Sequence, residues 1–295
     1  MPEPKLLLKA TAIGKQFPGV RALHDVDLTL NKGEVLSLVG ENGAGKSTMM
    51  KILAGVHAPD KGTVELDGES VNINSVREAQ KHGIALIHQE LNLSENLDIA
   101  ANIFLGNEPQ KFGVIDRKQI HFESAKYLKR VGLDFPTDTL VGELTIGHQQ
   151  LVEISKALSV DAKIIIMDEP TSSLSQKESE NLFGVIRDLK SQGISIIYIS
   201  HRLGEVMELS DRVTVFRDGE NAGELVRDDI THDGMVKLMV GRDLSQFYKR
   251  AVITPGEMVL ELDRLRTSVH PKEEISFSIH SGEIVGIAGL VGAGR

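Results

Sequence analysis

Cysteine is absent from the 295 residues, which excludes disulfides, a thiol nucleophile and thiolate metal sites, and fits a reducing compartment. Long apolar runs are missing as well. The longest, at 164–167 and 194–199, fall far short of the roughly 18–20 residues that cross a bilayer. The opening MPEPKLLLK has no basic leader ahead of a long apolar stretch, so no signal peptide is expected. Positive charge is also in deficit. With 33 Lys+Arg against 42 Asp+Glu the formal net charge is −9, and no nucleic-acid partner is expected of so acidic a chain. Overall acidity does not prevent one well-placed loop from holding phosphates. What remains is an ordinary globular composition, 41% hydrophobic and 25% charged, in a chain long enough for one large domain or two.

Apolar runs bounded by turn signals alternate with helical patterns. Val35, Leu36, Ser37, Leu38 and Val39 predict a buried strand, followed by a glycine loop and a helix ending near Gly55. Residues 84–88, 164–167 and 194–199 are three more candidate buried strands, rich in β-branched side chains. Between the last two, Leu182, Val185, Ile186 and Leu189 follow i, i+3, i+4, i+7 spacing, one apolar helix face with Gly193 as its stop. Strand, helix, strand in this order predicts an α/β fold with a parallel sheet and crossover helices. Asp67-Gly68 and Asp218-Gly219 signal hairpins, hence antiparallel strands added around that sheet.

Residues 242–257 lose the periodicity, contain Thr254-Pro255-Gly256 and read as a linker. Beyond them the chain repeats itself. LTLNKGEVLSLVGENGAGK at 28–46 aligns without gaps onto FSIHSGEIVGIAGLVGAGR at 277–295. Gly33, Glu34, Gly40, Gly43, Ala44 and Gly45 recur as Gly282, Glu283, Gly289, Gly292, Ala293 and Gly294. The expectation is a tandem protein: a first domain at 1–241, and at 258–295 the start of a second, cut one residue before its Ser/Thr.

Gly40, Glu41, Asn42, Gly43, Ala44, Gly45, Lys46 and Ser47 satisfy G-x-x-x-x-G-K-[ST] between a predicted strand and a predicted helix. Glycines let the backbone wrap phosphate closely, so that its N–H groups and the helix N-terminus face the negative charge. Lys46 supplies a cation to β- and γ-phosphates, and the Ser47 hydroxyl can join a Mg²⁺ shell. Asp168 and Glu169 follow the apolar run 164–167, at the carboxyl end of a strand, where an α/β sheet collects ligand-binding groups. Asp168 is a candidate Mg²⁺ ligand through water, and Glu169 a candidate general base for the attacking water.

With GENGAGKST, HQELNL, MDEPTSSLS and ISHR in this order, the chain resembles ABC-type ATPases. It is most similar to the tandem ATP-binding subunits of bacterial monosaccharide importers of ribose, arabinose, xylose and galactose type. The resemblance covers about 6–241 and resumes at about 258. It implies a P-loop NTPase fold of ABC type, with a mainly parallel sheet core, an antiparallel β subdomain and a helical subdomain at roughly 90–160. It also assigns roles. Gln89 matches the lid-loop glutamine that touches Mg²⁺ or the attacking water, and His201 the switch histidine that reaches the γ-phosphate. Thr48 belongs to the nucleotide-binding set. Phe17 matches the aromatic that stacks on adenine; a core phenylalanine is the alternative.

The departures from the family pattern are specific. Its signature LSGGQ stands here as Leu144, Thr145, Ile146, Gly147 and His148, followed by Gln149. Ile146 puts a β-branched side chain where close approach to the γ-phosphate favours glycine. Ser175 replaces an aspartate, and Arg295 stands where the second phosphate loop should have lysine. In such proteins each ATP lies between the phosphate loop of one domain and the signature of the other. The altered signature and the Arg295 loop therefore fall in one composite site, and the intact loop pairs with a signature elsewhere: one competent site and one degenerate site. The resemblance implies ATP and Mg²⁺, transmembrane permease subunits, an extracytoplasmic sugar-binding protein, and a place at the cytoplasmic face of the bacterial inner membrane. Two other classes share the core: a soluble ABC ATPase acting on ribosomes or DNA, and a non-catalytic nucleotide-binding module.

Overall fold

A computed structural model describes residues 5–241, 254–268 and 271–288 of the chain. The chain divides into two units, Met1–Arg242 and Asp243–Arg295. The first begins with two long antiparallel strands, β1 (Leu6–Phe17) and β2 (Val20–Asn31), then β3 (Val35–Val39) and α1 (Lys46–Leu53). Next come β4 (Lys61–Leu66), β5 (Glu69–Val71), α2 (Val76–Lys81) and β6 (Ile84–Ile87). A mostly helical stretch follows, with α3 (Ile99–Phe104), the short pair β7 (Gln110–Lys111) and β8 (Val114–Ile115), α4 (Arg117–Arg130) and α5 (Ile146–Ser159). The chain then alternates through β9 (Ile164–Asp168), α6 (Gln176–Ser191), β10 (Ser195–Ile199), α7 (Leu203–Leu209), β11 (Arg212–Arg217), β12 (Glu220–Val226) and α8 (His232–Val240). The second unit contains β13 (Met258–Leu265) paired antiparallel with β14 (Ile275–His280).

The central sheet runs β12-β11-β3-β10-β9-β6, parallel except for β12 on its edge, and a four-stranded antiparallel sheet runs β2-β1-β4-β5. The uninterrupted apolar runs of β9 and β10 are explained by layers on both faces. Ile165, Met167, Ile196 and Tyr198 face a core that includes α5 and α6 side chains, whereas Ile164, Ile166, Ile197 and Ile199 face one built with α1 and the antiparallel sheet. All eight are at most 1% exposed, each contributing roughly 1.5–3 kcal/mol of burial.

Both hairpin signals form two-residue turns. Asp67-Gly68 closes β4 on β5 and Asp218-Gly219 closes β11 on β12, all four residues having positive φ as a type I′ turn requires. Leu182, Val185, Ile186 and Leu189 form the buried face of α6, and Gly193 at φ 87° follows its last turn. Ser175 caps the start of α6 in a capping box with Glu178.

The repeat has a structural counterpart in the second unit. Glu283 Oε2 accepts from the His280 N–H at 2.9 Å, as Glu34 Oε2 accepts from the Asn31 N–H at 2.6 Å. The turn glycines Gly33 and Gly282 have φ of 65° and 78°. The expected linker lies outside the described residues over 242–253; 254–257 lead into β13, with the Gly256 N–H bonded to the Ser281 carbonyl at 2.9 Å. The expected second phosphate loop, at 289–295, also lies outside the described residues.

Candidate active site

β3 is buried along its whole length and delivers the chain to the carboxyl edge of the central sheet, where the 40–45 loop turns into α1. Two glycines are obligatory there. At Gly40 (φ 156°) a Cβ would overlap the Phe216 carbonyl oxygen; at Gly45 (φ 99°) it would sit 2.6 Å from Leu23 Cδ2 and 2.7 Å from the Ala22 carbonyl oxygen. Gly45 is the N-cap of α1 and offers no side-chain cap, so the first helical N–H groups are free to meet an anion. Asn42, Gly43, Ala44, Gly45, Lys46, Ser47 and Thr48 line a cavity of about 360 Å³. Lys46 is only 8% exposed and folds back on its own loop, its Nζ donating to the carbonyls of Gly40 at 2.8 Å and Glu41 at 3.0 Å. Burial lowers its pKa, while the charges of Glu169 and Asp168 act to raise it.

Across the cavity stand Gln89, Asp168 and Glu169. The Asp168 carboxyl, at the end of β9, has its pKa raised by burial and by the Glu169 charge, against the opposing hydrogen bond from the Ser47 hydroxyl. Two adjacent carboxylates and a nearby hydroxyl and amide form a hard oxygen set suited to Mg²⁺, which typically takes one or two carboxylates plus phosphate oxygens and water. Among the described residues no cluster of three or more His, Asp or Glu forms a metal cage, and this ion needs none. Glu169 is a non-glycine residue at φ 48°, a conformation its surroundings must enforce. Its N–H donates to the Ile199 carbonyl at 3.0 Å, tying the end of β9 to β10. His201 Nδ1 lies 3.1 Å from Glu169 Oε2; the imidazole is 60% exposed and the carboxylate 21%.

Phe17 is not among the residues lining this cavity. Its ring packs edge-on against His57 at a centroid distance of 5.4 Å, with Lys15 Nζ 5.7 Å from its centre. Val20 and Ala22 line the cavity instead, and neither carries chemistry that would mark it in a sequence.

The signature residues lie elsewhere. Thr145 caps α5, accepting from the His148 N–H at 3.3 Å, and its hydroxyl donates to Glu178 Oε1 at 3.3 Å. Gly147 packs against Glu178 so closely that a Cβ would meet Oε1 at 2.6 Å. Leu144 is buried, the His148 ring stacks at a tilt on Phe135, and Gln149 Nε2 donates to the carbonyls of Val141 and Leu144. Ile146 is 47% exposed. Ile146 and Gln149 line a second cavity, of about 340 Å³, with Pro170, Ser172 and Leu174; Gln89 lines both cavities, and no signature residue lines the first. Glu178 was missed in the sequence, although S-x-x-E at 175–178 is a legible capping box.

The sequence profile described as ABC transporter matches residues 23–172. A ribose import ATP-binding protein of Caldanaerobacter subterraneus subsp. tengcongensis is 49% identical over 294 residues, covering 99% of this chain and 59% of that protein. A galactose/methyl galactoside import ATP-binding protein of Photobacterium profundum is 47% identical over 293 residues, covering 99% and 59%. The chain thus spans about three-fifths of the length of the curated relatives it matches. Among solved structures, an ATP-binding cassette in a dimeric post-hydrolysis state bound to ADP and Pi superposes with a TM-score of 0.64 at 26% identity, covering 75% of this chain and 99% of that one.

Proposed function

Because the chain belongs to the ABC transporter family, we propose that it binds Mg-ATP on the 40–48 loop and is the energy-coupling ATPase component of a monosaccharide importer. The observation that carries this is the single cavity into which Lys46, Ser47, Gln89, Asp168 and Glu169 all converge. The loop N–H groups and Lys46 hold the β- and γ-phosphates, Lys46 exchanging its loop carbonyls for phosphate oxygens. Ser47, Asp168 and Gln89 hold Mg²⁺, which when bound neutralises charge on the phosphate oxygens. Glu169 accepts the proton of the water that attacks the γ-phosphorus, and His201, in contact with its carboxylate, orients it from the solvent side.

No signature residue of this chain lines the phosphate cavity, which supports a site completed by the signature of a second cassette; a similar cassette is solved as a dimer. Ile146 blocks close approach, so the signature of this chain serves the weaker of two composite sites. Residues 242–257 link the first cassette to the second. The names of the relatives support a monosaccharide as cargo. The cargo itself passes through separate permease subunits, fed by an extracytoplasmic binding protein, with the cassette at the cytoplasmic membrane face. No helix among the described residues is long and apolar enough to cross a membrane.

Phosphate release across a concentration series tests the composite site. Residues 1–295 alone should turn over slowly at every concentration, and a longer chain carrying a complete second cassette with a glycine-rich signature should be fast. Equal specific activity of the two would refute it in favour of homodimers acting through the altered signature.

A further inference from the structure

Behind the loops that carry Glu169 and His201 lies a carboxylate with no role in the scheme above. Glu205, in α7, is 9% exposed, yet it collects donors from both loops. The Thr171 hydroxyl reaches both of its oxygens at 2.8 Å. The Tyr198 hydroxyl and the Ser200 hydroxyl donate to Oε2 at 2.8 and 2.9 Å, and Arg202 Nη1 donates to Oε1 at 3.3 Å. Ser200 Oγ in turn accepts from the Arg202 N–H at 3.0 Å. Thr171 lies two residues after Glu169, and Ser200 and Arg202 flank His201.

We propose that Glu205 is a positioning residue for hydrolysis: its buried carboxylate clamps the Glu169 loop to the His201 loop and so holds the Glu169–His201 pair in contact. The role rests on the hydrolytic reading of that pair. A carboxylate suits the task because it is acceptor-only, with about four lone-pair sites, and four donor side chains converge on it here. Burial and the Glu205 charge push the Tyr198 phenol well above its usual pKa, so it remains a donor. An unpaired buried carboxylate would be costly, so donors from both loops are held to Glu205. It also supplies what Glu169 needs, since a residue at φ 48° persists only where its neighbours over-determine it.

Glu205→Gln presents an amide whose N–H groups face hydroxyl and guanidinium donors, which loosens both loops without touching the phosphate cavity. In the chain carrying a complete second cassette, it should lower kcat by about 10²-fold, the size of effect that small misplacements of reacting groups produce, while leaving the Mg-ATP Kd within about twofold. Thr171→Val, isosteric and lacking one donor, should lower kcat by a smaller factor with Kd likewise unchanged. Tyr198→Phe removes a donor that belongs to neither loop and should lower the melting temperature while keeping kcat near normal. Normal kcat in Thr171→Val, a Kd that weakens in step with kcat, or an equal kcat loss in Tyr198→Phe would overturn the clamp. Thr171→Val alone decides if Glu205→Gln does not fold. Turnover insensitive to Glu169→Gln would instead remove the hydrolytic reading beneath it.

Discussion

Replacing Lys46 with methionine deletes the ammonium while keeping most of the stem that fills this 8%-exposed position. The cost to nucleotide binding follows from what Nζ does before and after. In the free chain it donates to two loop carbonyls, at 2.8 and 3.0 Å, so binding exchanges charge-to-neutral hydrogen bonds for charge-to-charge ones. The net value is therefore that of one charge-assisted hydrogen bond rather than two, about 1.5–3 kcal/mol, or roughly 10- to 150-fold in Kd. Glu169 and Asp168 move the expectation to the upper end, because without the cation the site presents two carboxylates to an anion. The loss should depend on the phosphate count. If Lys46 serves the β- and γ-phosphates as proposed, ATP and ADP should weaken and AMP should hardly change. Titration calorimetry with the three nucleotides in Mg²⁺ buffer at fixed salt reads this directly. Equal affinity of the variant for ATP, or an equal loss for AMP and ATP, would refute the assignment.

Gly45→Ala places a Cβ against Leu23 Cδ2 and the Ala22 carbonyl at φ 99°, and should cost about 1–3 kcal/mol. Thermal unfolding should show a midpoint lower by roughly 2–4 °C for each kcal/mol, and an unchanged midpoint would mean that the loop moves aside freely. Asp168→Asn removes a carboxylate whose pKa is raised by burial and by Glu169. The folded chain holds that proton more tightly than the unfolded chain. The contribution of this group to stability is therefore fully present below the ordinary carboxylate pKa and is lost as pH rises through the raised value. At neutral pH the nucleotide-free variant should melt higher than the parent, yet lose the Mg²⁺ dependence of ATP binding. A lower melting point, or an intact Mg²⁺ dependence, would contradict this.

β3, β6, β9 and β10 of the central sheet were legible because they are largely buried on both faces and read as apolar runs, and the β4-β5 and β11-β12 hairpins because an Asp-Gly pair favours a type I′ turn. β1 and β2 were not. Their pairing shifts register between Ala10 and Ile13, where Ala12 takes φ 49°, and the irregularity erases the alternation that would reveal a half-buried strand. α4 was hidden for a different reason. Its buried residues are Ile120, Ser124 and Leu128, a stripe one side chain wide with a serine at its centre. In the candidate site, the 40–47 loop and Asp168-Glu169 stand out in the sequence because each is a short contiguous motif, and residues of both line one cavity. Glu205 was not, since its donors come from positions 171, 198, 200 and 202, and a glutamate on a seven-residue helix reads as solvated. Phe17 packs against His57, and Val20 and Ala22 are among the residues that line the cavity.

Glu169 sits at the centre of the account, sharing the cavity with Lys46, Ser47, Gln89 and Asp168 and touching His201 at 3.1 Å. Glu169→Gln keeps the shape and a hydrogen-bonding group but cannot take a proton. In the chain carrying a complete second cassette, assembled with its permease, steady-state phosphate release should fall at least ~10²-fold while Mg-ATP binds as tightly as to the parent. Turnover close to the parent's would contradict a general-base role for Glu169.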